Sequence, residues 1–514
     1  MPRLNGQRRR LGMGLMFYPR GGSAQVARYL SRALVECGWE VVLASGSLGS
    51  PGEQTHAATF FEGLHVEAAD YTPALERFRR GEDQLVGPAP FHGSFEDRDG
   101  APDPVFAALD PEQAKAQVSA WEDVFERAGF GRVDVFHLHH LTPMHEAAAR
   151  MWPARALVTH LHGTELKMLE LVGRLDAVAV ALDTGLDRLA DVVDSGEVPY
   201  DCRVPESDRE LLRRTNLRRY RYGKDWAARL EGSARRSRRI ICISPHDASL
   251  AVRLLGVPGD LVEVIPNGVD TDLFDRSALT RDERLELLRH WLVDDPQGWD
   301  ESGLLGSIRY PLDALDAFTS HGGEPLPLLL FVGRYLGFKR VPLLVRAYAR
   351  ARPRFETPVP LLIWGGSPGE WEGEHPYTVA RELAVDGVFF SGWRGHNELP
   401  LGLSCADVFV GPSVDEPFGQ VFLEAMSCGL PVITTCTGGP VSFVNTVAGK
   451  PNGWLVEPDD VDALADALVE AVNDEAARKE RADHARQQIR GAFSWRALAG
   501  RFDALYTDVL DRAS

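Results

Sequence analysis

The sequence predicts an α/β protein made of two doubly wound domains, and three observations carry that reading. A chain of 514 residues is too long for one ordinary hydrophobic core. Short runs rich in Val, Ile and Leu alternate with longer helical patterns, as strands of a parallel sheet buried on both faces do. These runs are too many for one sheet, and the series restarts near Pro327. In the first half, strands are expected at 14–17, 41–44, 133–138, 156–161, 240–243 and 262–265. In the second they are expected at 328–332, 361–364, 388–390, 408–410 and 431–434. Each set suits a Rossmann-like domain, one over 1–275 and one over 327–490, the two facing a central cleft. Residues 276–326 lack a clear strand and read as a linker with an inserted helix at 282–292. Further insertions run over 72–130 and 183–239, and the helical pattern within 491–514 is expected to cross back onto the first domain.

Composition narrows the function classes. Apolar residues at 44% and charged residues at 25% are ordinary for a soluble globular protein. A formal charge of −18 disfavours broad binding to a polyanion, although local donors can still hold a small anion such as a nucleotide. The cysteines (Cys37, Cys202, Cys242, Cys405, Cys428 and Cys436) show no CxxC spacing, so reduced thiols and a cytoplasmic setting are expected. The apolar run 11–18 stops at Pro19 and Arg20 and reads as a first strand rather than an export signal. No stretch approaches the roughly 18 apolar residues needed to span a bilayer.

Three motifs follow strands. Pro19-Arg20-Gly21-Gly22-Ser23 opens a helix expected at 24–37, with Ser23 as N-cap and Gly38 as the stop. Paired glycines and a helix N-terminus suit an anion, but a tight strand-to-helix turn needs no ligand. Gly12 and Gly14 fall inside the strand, so they are not a dinucleotide fingerprint. The second motif, from Gly333-Arg334 to Lys339-Arg340, follows the strand at 328–332 and can aim two cations at one point. A departing diphosphate needs such a clamp because its charge grows as the bond breaks; a solvated basic loop is the plain alternative. Pro342 suits the first turn of a helix at 341–350. The third motif, Asp415-Glu416-Pro417-Phe418-Gly419-Gln420 through Glu424 to Gly429-Leu430-Pro431, breaks the chain before a short helix. N–H groups near Gly419 and Gln420 can hold phosphate oxygens. Glu416 in the loop and Glu424 on the helix can accept hydrogen bonds from sugar hydroxyls. Helix-start charge explains Glu416 tolerably, but Glu424 lies among Leu423, Ala425 and Met426 and needs a partner.

This third block resembles the signature of glycosyltransferase family 4, in which two glutamates are separated by seven residues within EPFG…LEAMxxGLPV. Also similar are Gly21-Gly22, Thr159-His160-Leu161-His162-Gly163-Thr164-Glu165, Ile265-Pro266-Asn267-Gly268-Val269-Asp270, Gly438-Gly439-Pro440 and Asn452-Gly453-Trp454-Leu455-Val456. The resemblance covers both halves in the same order. It implies the GT-B architecture and retaining transfer of a hexose from a nucleoside-diphosphate sugar to an acceptor hydroxyl, with no metal and no other cofactor. Arg334 and Lys339 are then expected at the diphosphate, with Gly333, Phe418, Gly419 and Gln420 beside it. Glu416 falls at the donor sugar, Glu424 at the ribose and His162 beside the reacting sugar, while Gly21 and Gly22 also border the donor. Trp393 and Arg394 are expected near the base. His139, His140 and Glu165 are assigned to the acceptor side.

Two further clusters have competing explanations. His137, His139, His140 and His145 invite a zinc site, but no Cys or carboxylate completes the set, so a strand end lining the acceptor cleft is preferred. Between Arg213 and Arg239 stand eleven Lys or Arg against Asp225 and Glu231, with Tyr220, Tyr222 and Trp226 interleaved. Peripheral contact with an anionic membrane face would use such a surface. With no clean apolar stripe, contact with the protein's own acids is preferred. A nucleotide-sugar epimerase or a non-catalytic sugar-nucleotide binder could share the architecture, but the first does not need the paired glutamates, and intact Arg334, Lys339, Glu416 and Glu424 argue against the second. The base, the sugar, the acceptor (saccharide, lipid or small metabolite) and the oligomeric state are not legible.

Overall fold

A computed structural model describes residues 9–86, 90–97, 101–196, 204–447 and 449–512. Cys202 and parts of both expected insertions in the first half lie outside the described residues. The chain divides into two compact units, Met1–Pro266 with Ala499–Ser514, and Asn267–Leu498.

The first unit is a seven-stranded parallel sheet. Its strands are β1 (Arg10–Leu15), β2 (Glu40–Ser47), β3 (His65–Asp70), β4 (Val135–His139), β5 (Ala156–Leu161), β6 (Arg239–Cys242) and β7 (Val262–Val264). They lie in the order β3-β2-β1-β4-β5-β6-β7. β1 starts four residues before its expected position because Gly12 and Gly14 belong to it. A Cβ on Gly14 would lie 2.5 Å from the Leu138 side chain and 2.6 Å from Met144. β3 was not expected, since an edge strand buried mainly through Ala69 has no apolar run to reveal it. The following helix, Gly22–Glu36, begins before the expected position and has Gly21 as N-cap with no side-chain bond. Ser23 is therefore inside the first turn and caps nothing.

The two stretches read as insertions contribute to the same core as the sheet. Helix Pro111–Arg127 opens on a capping box between Asp110 and Gln113 and buries Val118, Trp121 and Phe125. Helix Gly223–Arg236 buries Trp226, whose Nε1 donates to the Leu109 carbonyl at 2.9 Å. From helix Trp495–Asp511, Asp503 accepts from Trp39 Nε1 at 2.9 Å and Arg501 donates to the Val264 carbonyl at 2.6 Å.

The second unit is a six-stranded parallel sheet of β8 (Leu329–Val332), β9 (Leu361–Trp364), β10 (Val388–Gly392), β11 (Val408–Gly411), β12 (Val432–Thr435) and β13 (Gly453–Val456). The order is β10-β9-β8-β11-β12-β13. Residues 276–326, expected as a linker, lie within this unit. A capping box at Thr280 and Glu283 starts helix Arg281–Arg289, which continues as a π-turn over His290–Asp294. Trp299 is fully buried, stacks on Tyr335 with centroids 5.2 Å apart, and donates to the Gly366 carbonyl at 3.0 Å. Among the described residues, no helix is long and apolar enough to cross a membrane.

Trp299 distinguishes core from linker. Trp299→Ala should lower the unfolding free energy by about 3–5 kcal/mol, as truncation of a buried aromatic does, and lower the melting temperature. An unchanged denaturation midpoint would return this stretch to linker status.

Candidate functional site

A parallel sheet opens a crevice beyond the carboxyl ends of its strands where the strand order reverses. In the second unit that point lies between β8 and β11. Gly333 and Arg334 follow β8 directly, and Lys339 ends a 3-10 turn, Gly337–Lys339, in the same loop. Asp415 and Glu416 stand in the loop after β11. The Val414 N–H donates to the Phe338 carbonyl at 2.8 Å, which ties the two loops together. Lys339 Nζ forms an ion pair with Glu416, and both side chains are largely buried. Arg334 is exposed.

The Glu416 loop needs an unusual backbone. Asp415 has φ +53° and Gly419, the N-cap of helix Gln420–Ser427, has φ +86°. Gly438 and Gly439 press against this loop: a Cβ on Gly438 would lie 2.6 Å from the Glu416 carbonyl oxygen, and one on Gly439 2.5 Å from the Phe418 Cα. The Gly439 N–H donates to the Glu416 carbonyl at 2.7 Å. Phe418 is buried, and Gln420 Nε2 donates to the Gly268 carbonyl at 2.7 Å. That amide therefore anchors the helix start, and what remains for an anion here is backbone. Glu424 is only 6% exposed, its carboxyl makes no hydrogen bond among the described residues, and burial pushes its pKa up to about 8. A buried carboxyl with no partner carries an unrecovered desolvation cost, which a hydroxyl-bearing ligand would repay.

Arg394, expected near a base, has a guanidinium bonded within the protein. Its guanidinium is fully buried and donates to the Trp291 carbonyl at 2.7 Å, to Asp295 Oδ2 at 2.7 Å, and to the carbonyls of Asp295 and Ser391. These bonds hold the π-turn against the end of β10. Trp393 beside it is 59% exposed.

In the first unit the reversal falls between β1 and β4. Gly21 and Gly22 follow β1, and a Cβ built on either meets nothing within 4 Å. His139 ends β4, His140 follows with φ +60°, and His162 follows β5. Gly163, at φ +91°, turns the chain into helix Thr164–Ala181. Glu165 is fully buried; Oε1 accepts the His162 N–H at 3.2 Å and Oε2 meets His140 Nδ1 at 3.2 Å. Burial raises the Glu165 pKa, but His140 and these hydrogen bonds outweigh it, so the net shift is downward. Asp247 is nearby, and burial followed by the charge of Glu165 pushes it up to about 7. Sequence reasoning missed Asp247: the Ser244-x-x-Asp247 cap spacing is visible, but the burial is not.

The histidines form a ladder. His137 and His139 share one face of β4, and His160 stands opposite His139 on β5. His137 Nδ1 meets Tyr506 Oη at 2.6 Å, and His137 Nε2 meets His160 Nδ1 at 3.2 Å. His139 Nδ1 meets His162 Nε2 at 2.9 Å. Tyr506 was not foreseen, because its partner lies 369 residues away in the chain. Ring nitrogens of His137, His139 and His160 lie within 4.8 Å of one another, close enough to hold a metal ion. This set differs from the one read in the sequence. His140 is engaged with Glu165, and His145 with Thr142 and Thr159. His137 Nε2 and His160 Nδ1 already bond each other, which leaves His160 Nε2 buried without a partner among the described residues.

The basic segment is answered mostly by the protein's own acids. Arg218 reaches Asp191 and Asp194, Arg219 Asp97, Lys224 Asp176, Arg229 Glu146 and Arg239 Asp508.

Two parallel-sheet α/β units with loops of this kind at both strand reversals define a GT-B fold. The family model described as Glycosyltransferase Family 4 matches residues 20–273, and that described as Glycosyl transferases group 1 matches residues 318–488. The chain belongs to glycosyltransferase family 4. It is 34% identical over 198 residues to a D-inositol 3-phosphate glycosyltransferase of Corynebacterium aurimucosum, covering 37% of this chain and 45% of that one. A protein of the same name from Stackebrandtia nassauensis is 29% identical over 284 residues, 53% of this chain and 54% of that one. The chain thus spans about half the length of the curated relatives it matches. Among solved structures, sucrose-phosphate synthase from Thermosynechococcus elongatus superposes with a TM-score of 0.61 at 20% identity, covering 99% of this chain and 100% of that one. Anabaena Alr3699/HepE in complex with UDP and glucose gives 0.57 at 16%, covering 96% and 99%.

The buried ladder ties stability to pH. Burial lowers His137 to about 3 and His145 to about 4, against an ordinary 6.5. In the unfolded chain the same rings protonate near 6.5, so below that value unfolding takes up protons and stability falls with pH. Above it both forms are neutral and this contribution is flat. Thermal unfolding should show that plateau and descent, with a shallower descent in His145→Gln. An equal slope in that variant would remove the ring as a source.

Proposed function

We propose that this protein is a retaining hexosyltransferase that moves a sugar from a nucleoside diphosphate to an acceptor hydroxyl. The observation that carries this reading is the uncommitted buried carboxyl of Glu424, close in the chain to Glu416 and the helix start at Gly419. In this reading Glu424 takes the ribose diol, Glu416 takes hydroxyls of the donor sugar, and Lys339 with Arg334 faces the diphosphate. The Lys339–Glu416 pair preorganises both groups before the donor arrives, so charge that grows on the leaving diphosphate meets a fixed cation. Cations and backbone N–H groups then serve in place of a divalent metal. The N-terminal unit holds the acceptor, a saccharide, lipid or small metabolite, beside Glu165, His139 and His140. Neither glutamate has the standing of a glycosidase nucleophile, because each has donor-binding work. Same-face attack, with the departing phosphate taking the acceptor proton, suits the residues present. The comparison structure with UDP and glucose supports a nucleotide-sugar donor. The ion pairs along the basic segment favour an internal role for it over a membrane surface.

A thermal-shift screen over UDP-, GDP- and ADP-sugars tests the donor class, since a ligand bound only by the folded state raises apparent stability. Hydroxyls that stabilise the Glu424 carboxylate must pull its pKa down from about 8, so donor binding at pH 7 should release protons. Calorimetry in buffers of different ionisation heat should detect this release and find it lost, with weaker affinity, in Glu424→Gln. Affinity and proton count unchanged in that variant would sink the ribose assignment.

His162 emerges at the carboxyl end of β5, and its contribution should grow toward the transition state. His162→Ala should stay folded and bind donor, yet turn over at least about tenfold more slowly, roughly 1.4 kcal/mol of barrier, with EDTA present throughout. Near-normal turnover would place His162 outside the reaction, and activity that required restored metal would overturn the metal-free reading.

A further inference from the structure

The bond between His139 and His162 has a direction, and the direction decides what His162 can offer a ligand. The two ring nitrogens, Nδ1 of His139 and Nε2 of His162, are 2.9 Å apart. Between neutral imidazoles such a contact needs one N–H and one lone pair. Burial holds both rings far below the usual imidazole range, with neighbouring histidines adding to the effect, so both are neutral. The remaining nitrogen of His139, Nε2, is buried and has no partner. If His139 carried its proton there, a buried N–H would be left without an acceptor, which native structures very rarely tolerate. A lone pair in that place costs less. The proton of His139 therefore sits on Nδ1 and is donated to His162 Nε2. That nitrogen of His162 becomes the acceptor, and the single ring proton of His162 is left on Nδ1.

His160 obeys the same rule. Its Nε2 is also buried without a partner, so its proton belongs on Nδ1, donated to His137 Nε2. His137 then donates from Nδ1 to Tyr506 Oη. His139 stands beside that chain, with ring centroids 4.7 Å from His137 and 5.1 Å from His160. It is borne on a strand in register with its neighbour and cannot swing away as a loop residue could. The main chain of His162 is fixed as well, by the bond from its N–H to Glu165 Oε1.

We infer that His139 is a positioning residue that locks His162 in the Nδ1–H tautomer, so that His162 presents a hydrogen-bond donor to the substrate. The His162 Nδ1 makes no hydrogen bond among the described residues. The group it meets must then offer a lone pair, as a hydroxyl or ring oxygen of a sugar does. In water an isolated imidazole prefers its proton on Nε2, and that form would present a lone pair instead. This inference rests on the reading that His162 touches the transferred sugar, but the tautomer itself can be measured without any turnover.

The test is long-range proton–nitrogen NMR of the full chain carrying ¹⁵N-labelled histidine, at neutral pH, with the His162 signals assigned by their loss in His162→Gln. The wild-type protein should show His162 protonated on Nδ1. In His139→Phe, which cannot donate, His162 should move to Nε2–H and kcat should fall about tenfold, the worth of one hydrogen bond, with KM for the donor changing less. His139→Asn, whose side-chain amide can donate from near the Nδ1 position, should restore the Nδ1–H form and most of the turnover. A purely structural histidine would not show that paired rescue. An Nε2–H signal for His162 in the wild-type chain overturns the inference, and beyond the assignment by His162→Gln it needs no variant to fold. So does an Nδ1–H signal that persists in a folded His139→Phe. A tautomer that switches while kcat stays constant overturns instead the placing of His162 at the sugar.

Discussion

The reversal of strand order in a parallel sheet is the constraint on which both units depend. Strands that all run one way present their carboxyl ends at one edge, and neighbouring loops part company only where the order changes direction. In the second unit this places the loops after Val332 and Gly411 side by side, although about 80 residues separate them in the chain. Lys339 and Glu416 meet for that reason. In the first unit the same rule brings the end of β4 beside the loop after β1, while the adjacent β5 delivers His162 at the same edge. The chemistry of both units is thus borrowed from topology: sheet order decides which side chains can converge, and the residues at those ends decide what they do.

The polar groups held there are costly. A buried ring, carboxyl or amide loses hydration and recovers it only through well-made hydrogen bonds. The first unit meets part of that cost internally, with Glu165 serving His140 and the His162 main chain and Tyr506 serving His137, while the Nε2 atoms of His139, His140 and His160 stay buried without a partner among the described residues. The second unit leaves Glu424 unserved. The difference is informative. Hydrogen bonds between buried groups stiffen what they join and fix proton positions, whereas an unpartnered carboxyl is poised to gain from a ligand that brings hydroxyls. Preorganisation and unspent desolvation are distinct ways of storing binding energy before a substrate arrives.

Most of the sheet architecture was legible because a strand buried on both faces must be written as an apolar run. Runs such as Leu361–Trp364 announce themselves, and so does the strand ending at Leu161. The edge strand His65–Asp70 escaped because an edge needs fewer apolar residues, and β13 because it is also an edge strand and opens on a glycine. Glu416 and Glu424 could be read because Pro417 and Gly419 mark a turn into a helix. The partners of Arg394 were not legible: an arginine after a strand looks like a ligand group, and only the fold reveals the carbonyls of Trp291 and Asp295 that it meets. Likewise, 276–326 looked like a linker because Trp299 and Ile308 are isolated apolar residues whose core partners lie far along the chain.

Glycine fixes the backbone of the Glu416 loop. Asp415 is held in the left-handed region, a conformation that costs energy for any residue with a Cβ. That strain persists only because the surroundings over-determine it. Gly438 and Gly439 approach so closely that no side chain fits between the two loops, and the Gly439 N–H fastens the Glu416 carbonyl. Two backbones packed together hold Glu416 more rigidly than side chains could, since they have no rotamers to lose. The Lys339 ion pair then fixes the carboxylate itself. The Gly-Gly pair therefore acts at a distance in sequence as part of the glutamate's own setting. A substitution there would displace the charge at Glu416 without touching any group that carries it.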